Sequence, residues 1–197
     1  MVQPDPAQVY SPAEDTFLLL EAARQEIQPG DRVLEIGTGS GFVAEALGKA
    51  VQCMIATDIS PYATAAAYGK GVMVIRTDLS DGVRGQFDLI LFNPPYLPTR
   101  KEERICDWLE YALDGGANGR DVIERFLKGI GRVLAPGGRI LLLISSLTGL
   151  HEVISLAERH GFSTTVVRTQ IVEDEKLYVL RSMCKNDRIQ SGSPPRP

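Results

Sequence analysis

The chain has 197 residues, 44% of them apolar and 23% charged, with 21 basic against 25 acidic side chains and a formal charge of −4. A chain of this length removes about 70% of its unfolded surface from water, so it needs no metal or disulfide staple, and its composition excludes a disordered polymer. The acidic balance argues against a strongly electrostatic nucleic-acid binder.

Cys53, Cys106 and Cys184 include no CxxC pair and make no metal-ligand pattern with His151 and His160, which predicts a reducing compartment and no metal. The opening Met1-Val-Gln-Pro lacks the basic and apolar regions of a signal peptide, and the apolar runs are too short to span a bilayer. The expectation is a soluble, cytoplasmic protein.

Apolar runs alternate with helical patterns from about residue 12 to residue 183. Ser11 as N-cap, Pro12 at the first helical position and the acids Glu14 and Asp15 predict a helix through Thr16 that ends before Pro29-Gly30. A strand follows at Arg32-Val-Leu-Glu-Ile36, then a helix over Phe42 to Lys49 and a second strand at Val51 to Thr57. Pro61 opens the next helix, and strands are expected at Val72 to Arg76 and Phe87 to Phe92.

Apolar residues at Val122, Ile123, Phe126, Leu127, Ile130 and Val133 keep a helical period over Gly119 to Leu134, which Pro136-Gly-Gly138 stops. Arg139 to Ile144 reads as a strand and Leu150 to His160 as a helix. Strands around Ser163–Ile171 and Lys176–Met183, joined by the acidic turn Val172-Glu-Asp-Glu175, form an antiparallel hairpin. Right-handed crossovers then give an α/β protein with a mostly parallel seven-stranded sheet, helices on both faces and a reversed strand at the C-terminal end. One domain is expected over residues 1–184, followed by a polar, proline-containing tail over 185–197 that reads as disordered.

Ligands of open α/β sheets bind beyond the carboxyl ends of the strands. Glu35-Ile-Gly-Thr-Gly-Ser-Gly41 lies at such an end, with glycines that allow a tight turn and close backbone approach. Its spacing is neither a dinucleotide fingerprint nor a phosphate loop. Asp58 ends the second strand, where a carboxylate can accept both hydroxyls of a ribose, and Asp78 follows the third, within reach of a bound purine. Each acid alone could equally cap a helix; all three at strand ends favour a binding site.

Asn93-Pro-Pro-Tyr96 follows the fourth strand in the same crevice. Two prolines stiffen the turn and leave it acceptor-rich, through the Asn93 amide oxygen and the Pro94 carbonyl, with the Tyr96 ring beside them. Such a turn suits a planar amide or an exocyclic amine, whose two N–H groups it can accept while the ring stacks on the plane.

These motifs together resemble an S-adenosylmethionine-dependent methyltransferase of the amino-methylating type. More narrowly, they resemble the HemK-like family that methylates a glutamine of class-1 peptide release factors. Val9-Tyr-Ser-Pro-Ala-Glu-Asp-Thr16 is similar to the N-terminal segment of the archaeal and eukaryotic branch, and Leu113-Asp-Gly-Gly-Ala-Asn-Gly119 fits the loop after the Asn-Pro-Pro-Tyr strand. The resemblance spans roughly residues 9 to 183, without the large N-terminal domain of the bacterial branch.

It implies that Glu35, Gly37 and Gly39 hold the methionine and ribose side of the cofactor, with Thr16 closing over its methionine end. Asp58 would hold the ribose, Asp78 with Leu79 the adenine, and Ile59 would also contact the cofactor. Asn93 would touch cofactor and substrate, while Pro94, Pro95 and Tyr96 orient the substrate amide. A small zinc-binding activator protein is also implied, docked on the edge strand Val72-Met-Val-Ile75. Adenine or guanine amines of RNA or DNA offer the same local geometry as a glutamine amide and form the alternative substrate class. The basic cluster Arg100, Lys101 and Arg104 is interrupted by Glu102 and Glu103 and reads better as a solvated helix start than as a phosphate track. A silent cofactor-binding scaffold is a third possibility, against which the intact Asn93-Pro-Pro-Tyr96 speaks.

Overall fold

The computed structural model describes residues 2–3, 5–98 and 107–185; the basic cluster Arg100, Lys101 and Arg104, Cys106 and the tail beyond Lys185 lie outside the described residues. In chain order the elements are α1 (Glu14–Glu26), β1 (Arg32–Ile36), α2 (Phe42–Leu47), β2 (Cys53–Asp58), α3 (Pro61–Gly69) and β3 (Val74–Arg76). They continue with β4 (Phe87–Phe92), α4 (Asp121–Ile130), β5 (Leu134–Ser145), α5 (Leu150–Arg159), β6 (Phe162–Val172) and β7 (Glu175–Cys184). The seven strands form one sheet in the order β3-β2-β1-β4-β5-β7-β6. Strands β1 to β5 pair in parallel, while β7 runs antiparallel to both β5 and β6. The expected Rossmann-like α/β fold with a reversed C-terminal hairpin is the one observed.

Period-two alternation sorts the apolar side chains between the two faces. Leu34, Ile36, Ile90, Phe92, Ile140, Leu142 and Ile144 face α4 and α5, which supply Ile123, Phe126, Leu127, Ile130, Val153 and Leu156. Val33, Leu89, Leu91, Leu141 and Leu143 point the other way, toward Leu18, Leu19, Ala22 and Ala23 of α1 and Val43 and Leu47 of α2. Because both faces are covered, the central strands are apolar almost throughout, as parallel sheets require. At the end opposite the site, the Arg139 guanidinium is pinned by Asp31 at 2.6 Å and by the carboxylate of Glu26 at 3.5 Å. Arg139 also donates to the Asp88 and Glu26 carbonyls, which ties α1, β4 and β5 together at their bases.

Several boundaries differ from the sequence reading. Helix α1 begins at Glu14, two residues after Pro12, because Ala13 is extended (φ −132°, ψ −169°) and Ser11 caps nothing. Gln8, Val9, Tyr10 and Pro12 border the crevice instead. Strand β5 extends back through the Pro136-Gly-Gly138 turn: Leu134 pairs with Phe87 and Arg139 with Leu89, so residues 135–138 form a bulge inside the strand. Strand β3 is confined to Val74–Arg76, and Val72 is buried against Ala44, Ala56 and Ala67 instead of lying on the sheet edge. Helix α3 starts where expected, at Pro61, with the Ser60 hydroxyl accepting from the Tyr62 and Ala63 N–H groups.

Candidate active site

The sheet order places the chain reversal between β1 and β4, so a crevice opens above their carboxyl ends. The loop after β1 enters it through Gly37 and Gly39, at φ of +65° and +54°, conformations that side chains disfavour. The loop after β4, Asn93 to Tyr96, forms the facing wall. Between them lies a cavity of about 280 Å³ lined by Thr16, Glu35, Gly37, Gly39, Asp58, Ile59, Asp78, Leu79, Asn93, Pro94, Pro95 and Tyr96. Every candidate site residue read from the sequence therefore borders one space.

Three acids meet that space in different environments. Glu35 is buried; burial pushes its carboxyl up to about 7, against the opposing effect of the Thr38 hydroxyl and the Ala44 N–H. Asp58 is also raised by burial, while N–H groups of Ser60, Gly39 and Ile59 favour its carboxylate. The bonds from Gly39 and Ser60 measure 2.9 and 2.8 Å and aim the Asp58 carboxylate across the glycine loop. Asp78 is more open and forms an ion pair with Arg125 of α4. Beside it Leu79 holds a left-handed backbone, φ +48°, an unusual conformation for a leucine and one that concentrates at functional sites.

The Asn93 loop is braced from behind by residues 114 to 119. Gly115 N–H donates to the Leu97 carbonyl at 3.0 Å. A Cβ at Gly119 would fall 2.3 Å from the Tyr96 carbonyl oxygen, and one at Gly115 would fall 2.9 Å from that of Pro95. The glycines of Leu113 to Gly119 thus let one loop back directly against the other. The Asn93 amide oxygen is buried and has no hydrogen-bond partner among the described residues. A buried acceptor without a donor is costly, and a ligand N–H arriving from the cavity would relieve it.

The sequence reading gave no role to several residues at this cavity. Asp15 accepts from Asn93, Tyr10 and Tyr96. Trp108 borders the opening, with its backbone N–H on the Gln8 side chain at 3.1 Å and Arg76 over its ring at 5.6 Å. The Tyr-Ser-Pro-Ala-Glu-Asp segment was the signal for Asp15, but a contact 78 residues distant, to Asn93, leaves no local periodicity. Among the described residues no cluster of metal-binding side chains occurs, and no helix is long and apolar enough to cross a membrane.

The residues present fit S-adenosylmethionine: buried carboxylates beside a glycine loop for hydroxyl or ammonium donors, an apolar slot at Ile59 and Leu79 for a ring, and an unsatisfied acceptor at Asn93.

The model of the methyltransferase small domain matches residues 9–108. The chain is 38% identical over 182 residues to a candidate protein N5-glutamine methyltransferase of Methanocaldococcus jannaschii, covering 89% of this chain and 91% of that one. It is 35% identical to the mouse methyltransferase HEMK2, covering 88% of each. Among solved structures it is similar to the E. cuniculi Mtq2–Trm112 complex, which methylates the eRF1 translation termination factor. That match has a TM-score of 0.74 at 27% identity and covers 89% of this chain and 98% of the other.

Proposed function

The chain belongs to the HemK-like methyltransferases, and from that premise we propose that it methylates the side-chain amide nitrogen of a Gly-Gly-Gln glutamine in a class-1 peptide release factor. The chain is an S-adenosylmethionine-dependent protein methyltransferase, with S-adenosylhomocysteine as product. The observation that carries an NH₂ substrate is the Asn93 amide oxygen, buried and without a partner among the described residues, beside the rigid Pro94-Pro95 turn and the Tyr96 ring. The likeness to a glutamine methyltransferase and the acidic balance favour a glutamine amide over a base amine. An amide NH₂ brings the donors this corner lacks.

When bound, S-adenosylmethionine supplies an electrophilic methyl group on its sulfonium. The amide nitrogen is a poor nucleophile because its lone pair is delocalised, so the protein's task is to position it in line. Asn93 and the Pro94 carbonyl accept the two N–H hydrogens, drawing density onto nitrogen and stabilising the positive charge that develops there. Tyr96 holds the amide plane. The proton leaves after attack, so no strong base is required beforehand. On the cofactor side, Glu35, Gly37 and Gly39 take the methionine and ribose, with Thr16 over the methionine end. Asp58 takes the ribose, Asp78 and Leu79 the adenine, and Ile59 lines the cofactor slot beside Leu79.

In this reading, residues 1–184 act as one methyltransferase domain with a tail from 185, in a reducing cytoplasm. A small zinc-binding activator pairs with the edge of the sheet at β3. Met73 and Ile75 support that reading, being exposed apolar side chains at a strand edge.

The test offers radiolabelled S-adenosylmethionine and the chain, with and without the activator, to a class-1 release factor, its Gly-Gly-Gln glutamine mutant, tRNA, rRNA and DNA. The expected result is label on the wild-type factor and none on the mutant. Asn93→Ala should lower that turnover by about 10² to 10³-fold, with cofactor binding weakened much less. Label confined to nucleic acid would overturn the substrate class.

A further inference from the structure

We infer that Asp15 is a positioning residue for methyl transfer: it fixes which way the Asn93 amide faces and so makes Asn93 an acceptor at the reacting amide. The inference rests on the proposed reaction at Asn93 and deepens it.

Asp15 sits in the first turn of α1 and is buried, 4% exposed. Its Oδ1 accepts from the Thr16 backbone N–H and, at 3.1 Å, from the Thr16 hydroxyl. Its Oδ2 accepts from three side chains at once: the Tyr10 hydroxyl at 3.0 Å, Asn93 Nδ2 at 3.1 Å and the Tyr96 hydroxyl at 3.3 Å. An ionised carboxylate only accepts, so Asn93 must turn its NH₂ toward Asp15 and its oxygen away. The oxygen turned away is the buried Oδ1 that lacks a partner among the described residues. Both tyrosine hydroxyls are held protonated, raised first by burial and next by the Asp15 charge, so they remain donors to it. One carboxylate thereby sets the rotamer of Asn93, the tilt of the Tyr96 ring and the approach of the N-terminal segment at Tyr10.

The isosteric change Asp15→Asn reverses this logic. The Thr16 N–H keeps the new amide oxygen on its side, which turns an NH₂ toward Asn93. Two NH₂ groups cannot bond to each other, so Asn93 flips and presents a donor where the substrate needs an acceptor. A compensating pair, Asp15→Asn with Asn93→Asp, restores complementarity: the amide at 15 donates to the carboxylate at 93, which offers an acceptor to the cavity whichever way it turns.

The experiment is a double-mutant cycle with S-adenosylhomocysteine binding measured alongside turnover. Asp15→Asn should lower kcat by about 100-fold, with the affinity for S-adenosylhomocysteine within about threefold of wild type. The double substitution should recover at least about tenfold of that loss, an increment a purely structural Asp15 would not give. The Asn93 side-chain NH₂ resonances, followed by ¹⁵N NMR in the cofactor-free protein, should lose their downfield, exchange-protected proton in Asp15→Asn.

Wild-type kcat in Asp15→Asn overturns the inference, as does a loss of S-adenosylhomocysteine binding equal to the loss of turnover. A double variant no better than Asp15→Asn overturns it too. If the wild-type enzyme leaves the release factor unlabelled, the substrate reading falls, and the Asn93 resonance still decides the role of Asp15.

Discussion

A carboxyl group taken out of water resists ionisation, and Glu35 shows the consequence at the end of β1. Its carboxyl sits at about 7, far above an ordinary 4.5, with burial the largest cause. Below the unfolded value both states hold the proton and the group costs nothing. As pH rises through 7 the unfolded chain is already ionised while the folded one must lose a buried proton. Stability from this group is therefore present at low pH and lost across roughly pH 4.5 to 7, by about 3 kcal/mol. Urea midpoints of the cofactor-free chain across that window should fall, and Glu35→Gln should flatten the slope. Donors on a bound cofactor favour the carboxylate, so S-adenosylhomocysteine should bind more tightly at pH 8 than at pH 6, with proton release seen by calorimetry. Equal slopes in wild type and Glu35→Gln would show that Glu35 does not carry the effect. At this scale the candidate site was largely legible in the sequence, because Glu35, Asp58, Asp78 and Asn93 each lie at or just past the carboxyl end of a strand and those ends converge. Asp15 was not, because two of its partners, Asn93 and Tyr96, come from a loop 78 and 81 residues away and its own neighbours advertise only a helix start.

Elements matter through how closely they can approach. The turn Leu113 to Gly119 is glycine-rich because it lies flat against the back of the Asn93 loop. Gly119, at φ +72°, has its missing Cβ pointing at the Tyr96 carbonyl. Gly119→Ala must displace that loop as well as accept a left-handed alanine, which costs about 1 kcal/mol by itself. The expected result is a drop in kcat of tenfold or more with only a few degrees lost in Tm, since the sheet core lies elsewhere. Unchanged kcat in a folded Gly119→Ala enzyme would mean that the loop is not held from behind. The same closeness explains which elements the sequence misplaced. Periodicity located β1 and β4 to the residue, because both faces of those strands are covered. It stopped β5 short at Pro136-Gly-Gly138, since a bulge needs the residues that otherwise mark a turn. It began α1 early, because Ser11-Pro12 is a sound local cap that the crevice-lining strand of chain overrides.

For the whole molecule, the two sheet edges differ in character. The β6 edge also exposes Val166 and Ile171, but sets them among Ser163, Thr164, Thr165, Arg168, Thr169 and Gln170, polar groups that discourage pairing with another chain. The β3 edge, Val74–Arg76, exposes Ile75 at 40%, and Met73 just before it is exposed at 62%, while Val72 is buried in the core. Nothing in the cavity above β1 and β4 requires those two side chains to be apolar, and neither borders it. An exposed apolar pair beside unpaired strand amides is a cost in water that a partner's strand would offset. Met73→Lys with Ile75→Lys keeps the edge soluble by charge, and such surface changes usually move stability by less than about 0.5 kcal/mol. The double variant should therefore bind S-adenosylhomocysteine normally and unfold within a few degrees of wild type. If the β3 edge is the proposed docking site, the variant should also lose any self-association of the lone chain and any stimulation by the proposed zinc-binding activator. Light scattering and labelling assays with and without the activator measure the two losses independently. Full stimulation in the lysine variant would move the partner off the β3 edge and leave the methyl-transfer chemistry above β1 and β4 untouched.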